Sequence, residues 1–201
     1  MPSMSVVERA FCRSRMWQLF ARRAVLPWAL QGNEPEGRLL EIGGGGGAMA
    51  EATVTAFPHL NVVATDIDPE MVADARRRLA ALPQATVEQA DVTALHYPED
   101  SFDWFASYLM LHHVVQWEDA ILEAARVLRP GGTMFGYDLT NTLLARAVHV
   151  VDRSPHWLVP PHDLGQALLG AGFVDVRVIT GFAGSIMRFR ATLPSGYATT
   201  R

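Results

Sequence analysis

The stretch LLEIGGGGG at residues 39–47 decides how the rest of the sequence is organised. A short apolar run that ends in consecutive glycines is typical of a strand feeding a tight loop, because glycine permits sharp turns and leaves no Cβ between the loop and a ligand. The helix predicted next, at residues 48–57, would offer free N–H groups to a carboxylate or a phosphate. The stretch therefore predicts a ligand site. It leaves the ligand open, since Gly43, Gly45 and Ala48 also fit the dinucleotide pattern G-x-G-x-x-A.

Outward from this loop, short apolar runs alternate with helical patterns. The predicted strands lie at residues 38–42, 61–65, 86–90, 102–107 and 133–137. The predicted helices between them lie at residues 48–57, 68–82 and 117–128, and Asp68 is expected to cap the second. Such alternation predicts an α/β fold with a doubly wound, mostly parallel, Rossmann-like sheet.

Both ends of the chain depart from this alternation. A helix at residues 162–169 precedes two strands, at residues 173–180 and 186–193, which predict a C-terminal antiparallel hairpin and bring the sheet to seven strands. Residues 5–30 form a helical pattern that Pro27 is expected to end or kink. We therefore divide the chain into an N-terminal helical extension, residues 1–34, and an α/β domain, residues 35–201.

The composition excludes several classes of function. The chain has 201 residues, a formal net charge of −4 and one cysteine, so neither an overall attraction to nucleic acid nor an internal disulfide is expected. All 17 basic residues are arginine, which excludes a Walker-type phosphate loop and pyridoxal-phosphate chemistry on a lysine. No apolar run of about 18 residues predicts a transmembrane helix, and no secretory signal is recognised. We expect a cytoplasmic protein.

Two aspartates stand where predicted strands end. Asp66 follows the second strand, where a carboxylate can bind both hydroxyls of an adenosine ribose. Asp91 follows the third strand, where an acid can accept a hydrogen bond from an adenine amino group, with Ile67 and Val92 on either side of the base. The alternative for each aspartate is a structural role in capping a turn.

At this point the sequence resembles a known family. Residues 39–47 resemble motif I of the class I, S-adenosylmethionine-dependent methyltransferases, and Asp66 matches the acidic residue that follows their second strand. Further ordered segments resemble family motifs, the last two being common in the subgroup of ubiquinone and menaquinone methyltransferases: ADV at 90–92, FDWF at 102–105, LHHV at 111–114 and VLRPGG at 127–132. The resemblance covers residues 38–138 and makes residues 35–201 a methyltransferase domain.

The resemblance implies S-adenosylmethionine as the cofactor and assigns residues to it. Glu41 is implied to orient the loop and the methionine end of the cofactor, three glycines to line that end, and Ser107 to lie near the sulfonium. The full set of implied cofactor contacts is Glu41, Gly43, Gly45, Gly47, Asp66, Ile67, Asp91, Val92 and Ser107.

Methyl transfer is an in-line displacement, for which a protein supplies mainly positioning and exclusion of water. A hydroxyl acceptor would also need a general base, and histidine suits neutral pH. His112 and His113 follow the fourth strand, and we take His112 as the catalytic candidate. Asp138, at the end of the fifth strand, is a further candidate to face the acceptor. The alternative is that these histidines cap a loop or pack against the cofactor.

Three hypotheses of function remain open. The favoured one is methyl transfer to a small-molecule acceptor, preferentially to a hydroxyl group. The others are a cofactor-binding module that transfers no methyl group and an NAD-dependent oxidoreductase, which the lack of a Tyr-x-x-x-Lys pair disfavours. No Asn-Pro-Pro-Tyr motif of amino-methylating enzymes is present, and we expect no nucleic-acid partner.

Three further expectations concern the ends of the chain and its assembly. His149, His156 and His162 lack the spacing of a metal site, so no metal is predicted. The basic N-terminal helix is either a lid over the acceptor, a contact with an anionic membrane surface, or a solvated face. The sequence leaves the oligomeric state open.

Overall fold

The structure, a computed structural model, describes residues 19–142 and 158–196. One sheet of seven strands runs through this part of the chain, in the order β3-β2-β1-β4-β5-β7-β6. The strands are β1 (Arg38–Ile42), β2 (Asn61–Asp66), β3 (Ala85–Gln89), β4 (Phe102–Tyr108), β5 (Leu128–Leu139), β6 (Val174–Gly181) and β7 (Ile186–Thr192).

The first five strands are parallel, and β7 lies antiparallel between β5 and β6. This arrangement confirms the predicted doubly wound, mostly parallel sheet with a C-terminal antiparallel hairpin. In parallel strands all carboxyl ends meet at one edge of the sheet, which is where ligands bind in open α/β folds. The sequence motifs of β1 to β5 therefore converge on that edge.

Five α-helices cover the two faces of the sheet in the described part of the chain. They are α1 (Leu26–Leu30), α2 (Ala48–Ala56), α3 (Pro69–Leu79), α4 (Trp117–Val127) and α5 (Pro161–Gly170). One hydrophobic cluster packs α4 and α5 against the sheet, and a second packs α1 and α2 against the opposite face. Asp68 caps α3 as predicted, since its side chain accepts a hydrogen bond from the N–H of Glu70. None of the described helices has the length and apolar character needed to span a membrane.

Two boundaries differ from the sequence prediction. β5 begins at Leu128, which pairs with Phe102, and the ladder resumes with Thr133 opposite Trp104 after an irregularity. The segment RPGG at residues 129–132 therefore interrupts the β4–β5 ladder instead of separating helix from strand, because a bulge absorbs extra residues within one strand. Pro27 does not end the first helix, which continues to Leu30. The irregularity expected at Pro27 takes the form of a π-helical turn, Ala21–Val25, just before it.

The described part of the N-terminal extension packs on the sheet. Ala21, Leu26 and Ala29 are fully buried in the cluster on that face. Two hydrogen bonds reach β7, from Gln31 Nε2 to the carbonyl of Phe189 at 3.1 Å and from Arg188 Nη1 to the carbonyl of Trp28 at 3.3 Å. Residues 1–18 lie outside the described part, as does most of the predicted membrane-contacting face. The domain boundary at residue 34 stays a prediction.

Candidate functional site

The glycine loop leaves β1 at the carboxyl edge of the sheet and enters α2. Gly43, Gly45 and Gly47 all have positive φ angles, of 57°, 52° and 78°, which other residues adopt only with strain. A Cβ on Gly43 would lie 2.0 Å from Met110 Cγ, so packing requires that glycine. A Cβ on Gly45 would meet nothing within 4 Å. Packing against Met110 therefore restricts the loop at Gly43, whereas the open space beside Gly45 leaves room for a ligand.

Asp66, at the end of β2, is held in place by the loop. Its Oδ2 accepts a hydrogen bond from the N–H of Gly45 at 2.8 Å, and its Oδ1 accepts one from the N–H of Asp68 at 2.9 Å. Burial raises the pKa of this carboxyl, and the backbone N–H groups of Asp68 and Gly45 oppose that shift. A carboxylate has about four acceptor sites, so each oxygen keeps capacity for one hydroxyl of a diol. Ile67 follows directly and is half-buried.

Asp91 and Val92 follow β3 at the same edge. Asp91 Oδ1 accepts from the N–H and from the hydroxyl of Thr93, at 2.9 and 2.8 Å. The carboxyl is thereby oriented by its own turn. Val92 is buried in the core cluster that also contains α4.

Glu41 lies beneath the glycine loop and is a buried ionisable group. Its side chain is 1% exposed, and neither carboxyl oxygen has a hydrogen-bond partner among these residues. Burial raises the pKa of Glu41 to about 8; the nearby Asp66 charge adds to this, while the N–H of Ala50 opposes it without completing a hydrogen bond. Oε1 lies 3.0 Å from where a Cβ on Gly44 would stand. An acid in such a site is protonated near neutral pH unless a cation joins it.

Buried hydroxyl groups near this edge also lack a well-formed hydrogen bond among the described residues. They belong to Ser107 and Tyr108 on β4 and to Thr53 on α2, and the hydroxyls of Tyr108 and Thr53 interact with each other. A buried polar group without a hydrogen bond costs about 1–3 kcal/mol, so several in one place call for an explanation such as a ligand. Ser107 is among the residues predicted from the sequence, whereas Tyr108 and Thr53 are not, because no sequence pattern distinguishes these hydroxyls from others in a strand or a helix.

His112 and Asp138 form a buried pair. His112 lies in a 3-10 turn, Leu111–His113, just after β4, and Asp138 lies near the end of the adjacent β5. Nδ1 of His112 is 2.5 Å from Oδ1 of Asp138, and the N–H of His112 donates to Oδ2 at 3.2 Å. The N–H of Leu139 also donates to Oδ1, at 2.7 Å. The side chain of His112 is 2% exposed, and that of Asp138 is fully buried.

The contact with Asp138 determines which ring nitrogen of His112 carries the proton of the neutral ring. A carboxylate acceptor places the proton of the neutral ring on Nδ1, so Nε2 is the nitrogen that can accept a proton. His113 lies with its ring centroid 4.0 Å from that of His112. His112 and Asp138, which the sequence predicts only as separate candidates, lie in direct contact in the structure.

Of the three histidines considered for a metal, only His162 is described, and it is exposed. His149 and His156 lie outside the described residues. Within residues 19–142 and 158–196, no group of three or more histidine, cysteine, aspartate or glutamate side chains could hold a metal ion.

Comparison with known proteins agrees with this architecture. A family model described as a methyltransferase domain matches residues 40–136. A malonyl-[acyl-carrier protein] O-methyltransferase from Halorhodospira halophila is 33% identical over 143 residues, covering 69% of this chain and 48% of its own length. A demethylmenaquinone methyltransferase from Clavibacter sepedonicus is 28% identical over 207 residues, covering 90% of this chain and 81% of its own length. The chain thus spans about half the length of the first of these relatives.

A solved structure shares the fold. Phosphoethanolamine N-methyltransferase 2 from Haemonchus contortus, in complex with S-adenosyl-L-methionine, matches with a TM-score of 0.73 and 18% identity, over 90% of this chain and 53% of that one. The chain belongs to the class I, S-adenosylmethionine-dependent methyltransferases. S-adenosylmethionine is the cofactor of this class, and the open loop at Gly45 and the unpartnered polar groups around it fit such a ligand.

Proposed function

We propose that this chain transfers the methyl group of S-adenosylmethionine to a hydroxyl group of a small-molecule acceptor. The observation that carries the proposal is the buried His112–Asp138 pair at the carboxyl edge of the sheet. A histidine whose Nδ1 is hydrogen-bonded to a carboxylate is oriented for general base catalysis through Nε2.

The cofactor site in this proposal follows the strand ends. Asp66 binds the ribose hydroxyls, Asp91 accepts from the adenine amino group, and Ile67 and Val92 border the base. Glu41 and the glycines at 43, 45 and 47 surround the methionine end, and Ser107 lies near the sulfonium. Two features support this placement: both oxygens of Asp66 are oriented by backbone N–H groups, and Gly45 has open space above it.

The bound cofactor supplies a methyl group that its sulfonium has already activated. His112 takes the proton of the acceptor hydroxyl at Nε2 and becomes an imidazolium. Asp138 holds the ring in position and stabilises this imidazolium at a distance of 2.5 Å. General base catalysis of this kind contributes typically about 10²–10⁴-fold to the rate.

The names of the relatives point to different acceptors, an acyl-carrier-bound malonyl group for one and demethylmenaquinone for the other. A phenol is a useful probe of this difference, because its anion has nucleophilic electron density on oxygen and on ring carbon. A base such as His112 would activate either position. The screen should therefore include carboxylic acids, phenols, quinols and thiols, and should identify the methylated atom in each product.

The test combines this screen with two variants of the pair. We expect His112→Asn and Asp138→Asn to lower kcat by about 10²-fold or more while S-adenosylhomocysteine still binds, because His112 acts on the acceptor and Asp138 acts through His112. His113→Asn is the matched control and should lose much less. A His112→Asn enzyme with full activity would refute the assignment of the base. Failure of every acceptor to be methylated would favour a cofactor-binding module.

A further inference from the structure

Two arginines lie opposite each other in the β6–β7 hairpin. Arg177 on β6 pairs in register with Arg190 on β7, so both side chains leave the sheet on the same face. It is the face on which α1 packs, because Arg190 also pairs with Phe135 of the cluster that contains α1. Val176 and Val178, on either side of Arg177, pack instead against the cluster that contains α5. Like charges directly opposite each other destabilise a sheet unless something neutralises them.

Neither guanidinium group has a partner of opposite charge in the described part of the chain. Four arginines elsewhere in that part pair with carboxylates, namely Arg77, Arg78, Arg126 and Arg129. Arg188, on the same face of β7, donates to the carbonyl of Trp28 and stacks on its ring. Arg177 and Arg190 form no comparable contact within residues 19–142 and 158–196, and the Nε–H of Arg190 is buried without an acceptor. A cation that is partly shielded from water gains more from an anion than a fully hydrated cation does.

We propose that Arg177 and Arg190 form a binding site for one phosphate group, separate from the site of methyl transfer. The separation follows from the strand register. Asp138 pairs with Met187, which packs in the cluster on the α5 face, so Asp138 and the two arginines project from opposite faces of the sheet.

The charge and geometry of the pair favour phosphate over carboxylate. One guanidinium fork binds two oxygen atoms, so a carboxylate, with one charge and two oxygens, is satisfied by a single arginine. A phosphate monoester carries almost two negative charges and three acceptor oxygens, which suit two arginines. Thr192, two residues from Arg190 on the same face, lies with its hydroxyl 3.3 Å from that of Thr133. Only one of these two hydroxyls donates to the other, so a further O–H donor remains beside the arginines.

Exposed apolar side chains flank the arginine pair along β6. Val174 pairs with Thr192 and Ile179 pairs with Arg188, so both lie on the face that carries the arginines. Val174 is 42% exposed and Ile179 is 45% exposed. An apolar group attached to the phosphate would contact them. The site therefore fits a phosphate monoester with an apolar organic part, either a soluble ester or a lipid headgroup.

NMR spectroscopy of the arginine Nε–H groups tests the site directly in the full chain. Inorganic phosphate is titrated near neutral pH against chloride at equal ionic strength, and Arg177→Gln and Arg190→Gln assign the two signals. We expect both signals to shift with one dissociation constant. Butyl phosphate should bind about fivefold more tightly or better, because its alkyl chain contacts Val174 and Ile179. Equal affinity for the two probes would overturn the role of the apolar side chains.

The variants separate a site from general attraction between charges. Arg177→Gln and Arg190→Gln should each weaken phosphate binding by about tenfold or more, since each removes a charge-assisted pair. Arg77→Gln removes the same charge from an exposed position on α3 and should bind phosphate like the wild type. All three should bind S-adenosylhomocysteine normally, which shows that they are folded. Equal weakening in Arg77→Gln, or full phosphate binding in Arg177→Gln, would overturn the proposal.

A vesicle experiment distinguishes the two sources of the phosphate group. The protein is sedimented with vesicles of phosphatidylcholine, with and without phosphatidic acid. Sedimentation that needs both phosphatidic acid and Arg177 identifies a lipid headgroup, whereas binding of butyl phosphate without sedimentation identifies a soluble ester; either result supports the site. Failure of inorganic phosphate, butyl phosphate and phosphatidic acid alike to bind would overturn it and would leave the methyl-transfer proposal unaffected.

Discussion

Asp66 connects the ligand site to the loop that forms it. Its carboxylate already accepts from Gly45 and Asp68, and two further hydrogen bonds from a ribose would complete its capacity. We expect Asp66→Ala to weaken S-adenosylhomocysteine binding by roughly 2–3 kcal/mol, the loss of charged hydrogen bonds. Calorimetric titration measures this. Asp163→Ala, at an exposed position in the first turn of α5, is the control and should bind normally; unchanged affinity in Asp66→Ala would mean that the ribose lies elsewhere.

Glu41 should make the stability of the ligand-free protein depend on pH. Its pKa is raised from 4.5 to about 8, so between these values the unfolded chain loses a proton that the folded protein keeps. The free energy of unfolding therefore falls as the pH rises through this range, by on the order of 3–5 kcal/mol, and levels off above pH 8.

Urea unfolding at pH 5 and pH 8 tests this dependence. The wild type should lose stability relative to Glu41→Gln between the two pH values, because glutamine cannot ionise. Glu99→Gln, at an exposed position, should follow the wild type. If the wild type and Glu41→Gln change in parallel, Glu41 ionises in the folded protein as it does in the unfolded chain.

Local sequence patterns predict single residues at the ends of strands better than they predict contacts between residues that lie far apart in the sequence. One predicted strand stops at Asp66 and another at Asp91; in the structure, Asp66 is the last residue of β2 and Asp91 follows the end of β3 by two residues. The His112–Asp138 contact joins residues 26 positions apart and depends on how two neighbouring strands align, which no local pattern contains. The sequence gives no reason to select Thr53 and Tyr108, because their relevance depends on their burial beside Glu41 in the folded protein.

Among the elements, β4 and β5 set the position of the candidate acceptor side, and a glycine allows their close approach. A Cβ on Gly136 would lie 1.9 Å from the carbonyl oxygen of Ser107 and 2.9 Å from Phe189 Cζ. We expect Gly136→Ala to destabilise the protein by about 3 kcal/mol or more, because backbone and a buried ring would both have to move.

Gly165→Ala is the matched substitution at a site with space. Gly165 lies within α5, and a Cβ there would stand 3.9 Å from Val178 Cγ2, an ordinary contact. Since alanine favours helix over glycine, this variant should gain about 0.5–1 kcal/mol. Thermal and urea unfolding of both variants provide the measurement. A Gly136→Ala protein as stable as the wild type would show that the two strands can separate at no cost.

The boundaries of helices and strands are predicted well where turn-forming or capping residues mark them in the sequence. Glycines after β1, the Asp68-Pro69 pair before α3 and the turn residues of the final hairpin mark boundaries by local backbone chemistry. RPGG at residues 129–132 carries the same marks and yet lies within β5, because the ladder to β4 resumes on the far side of the irregularity. Pairing with the neighbouring strand decides whether such a segment lies inside a strand. Local turn preference alone gives the wrong start for β5.

For the whole molecule, the described part of the N-terminal extension is part of the packing on the sheet. The sequence places a boundary at residue 34, yet Ala21, Val25, Leu26, Ala29 and Leu30 are buried in the cluster that they share with β1, β4 and β5. Burying one valine or leucine side chain contributes about 1.5–3 kcal/mol, so α1 and the turn before it contribute an amount comparable to the whole stability of a typical domain.

We therefore expect a protein that starts at residue 35 to unfold or to lose most of its stability and its cofactor binding. A protein that starts at residue 19 is the matched control, since it keeps every N-terminal residue that packs on the sheet in the described part of the chain, and it should stay folded. Urea unfolding and titration with S-adenosylhomocysteine distinguish the two truncations. If both were equally stable and bound equally well, α1 would be a detachable cover and residue 34 a true domain boundary. If only the shorter one fails, the core of the methyltransferase domain begins before residue 35, because the face of the sheet beside Glu41 and Tyr108 cannot remain dry without α1.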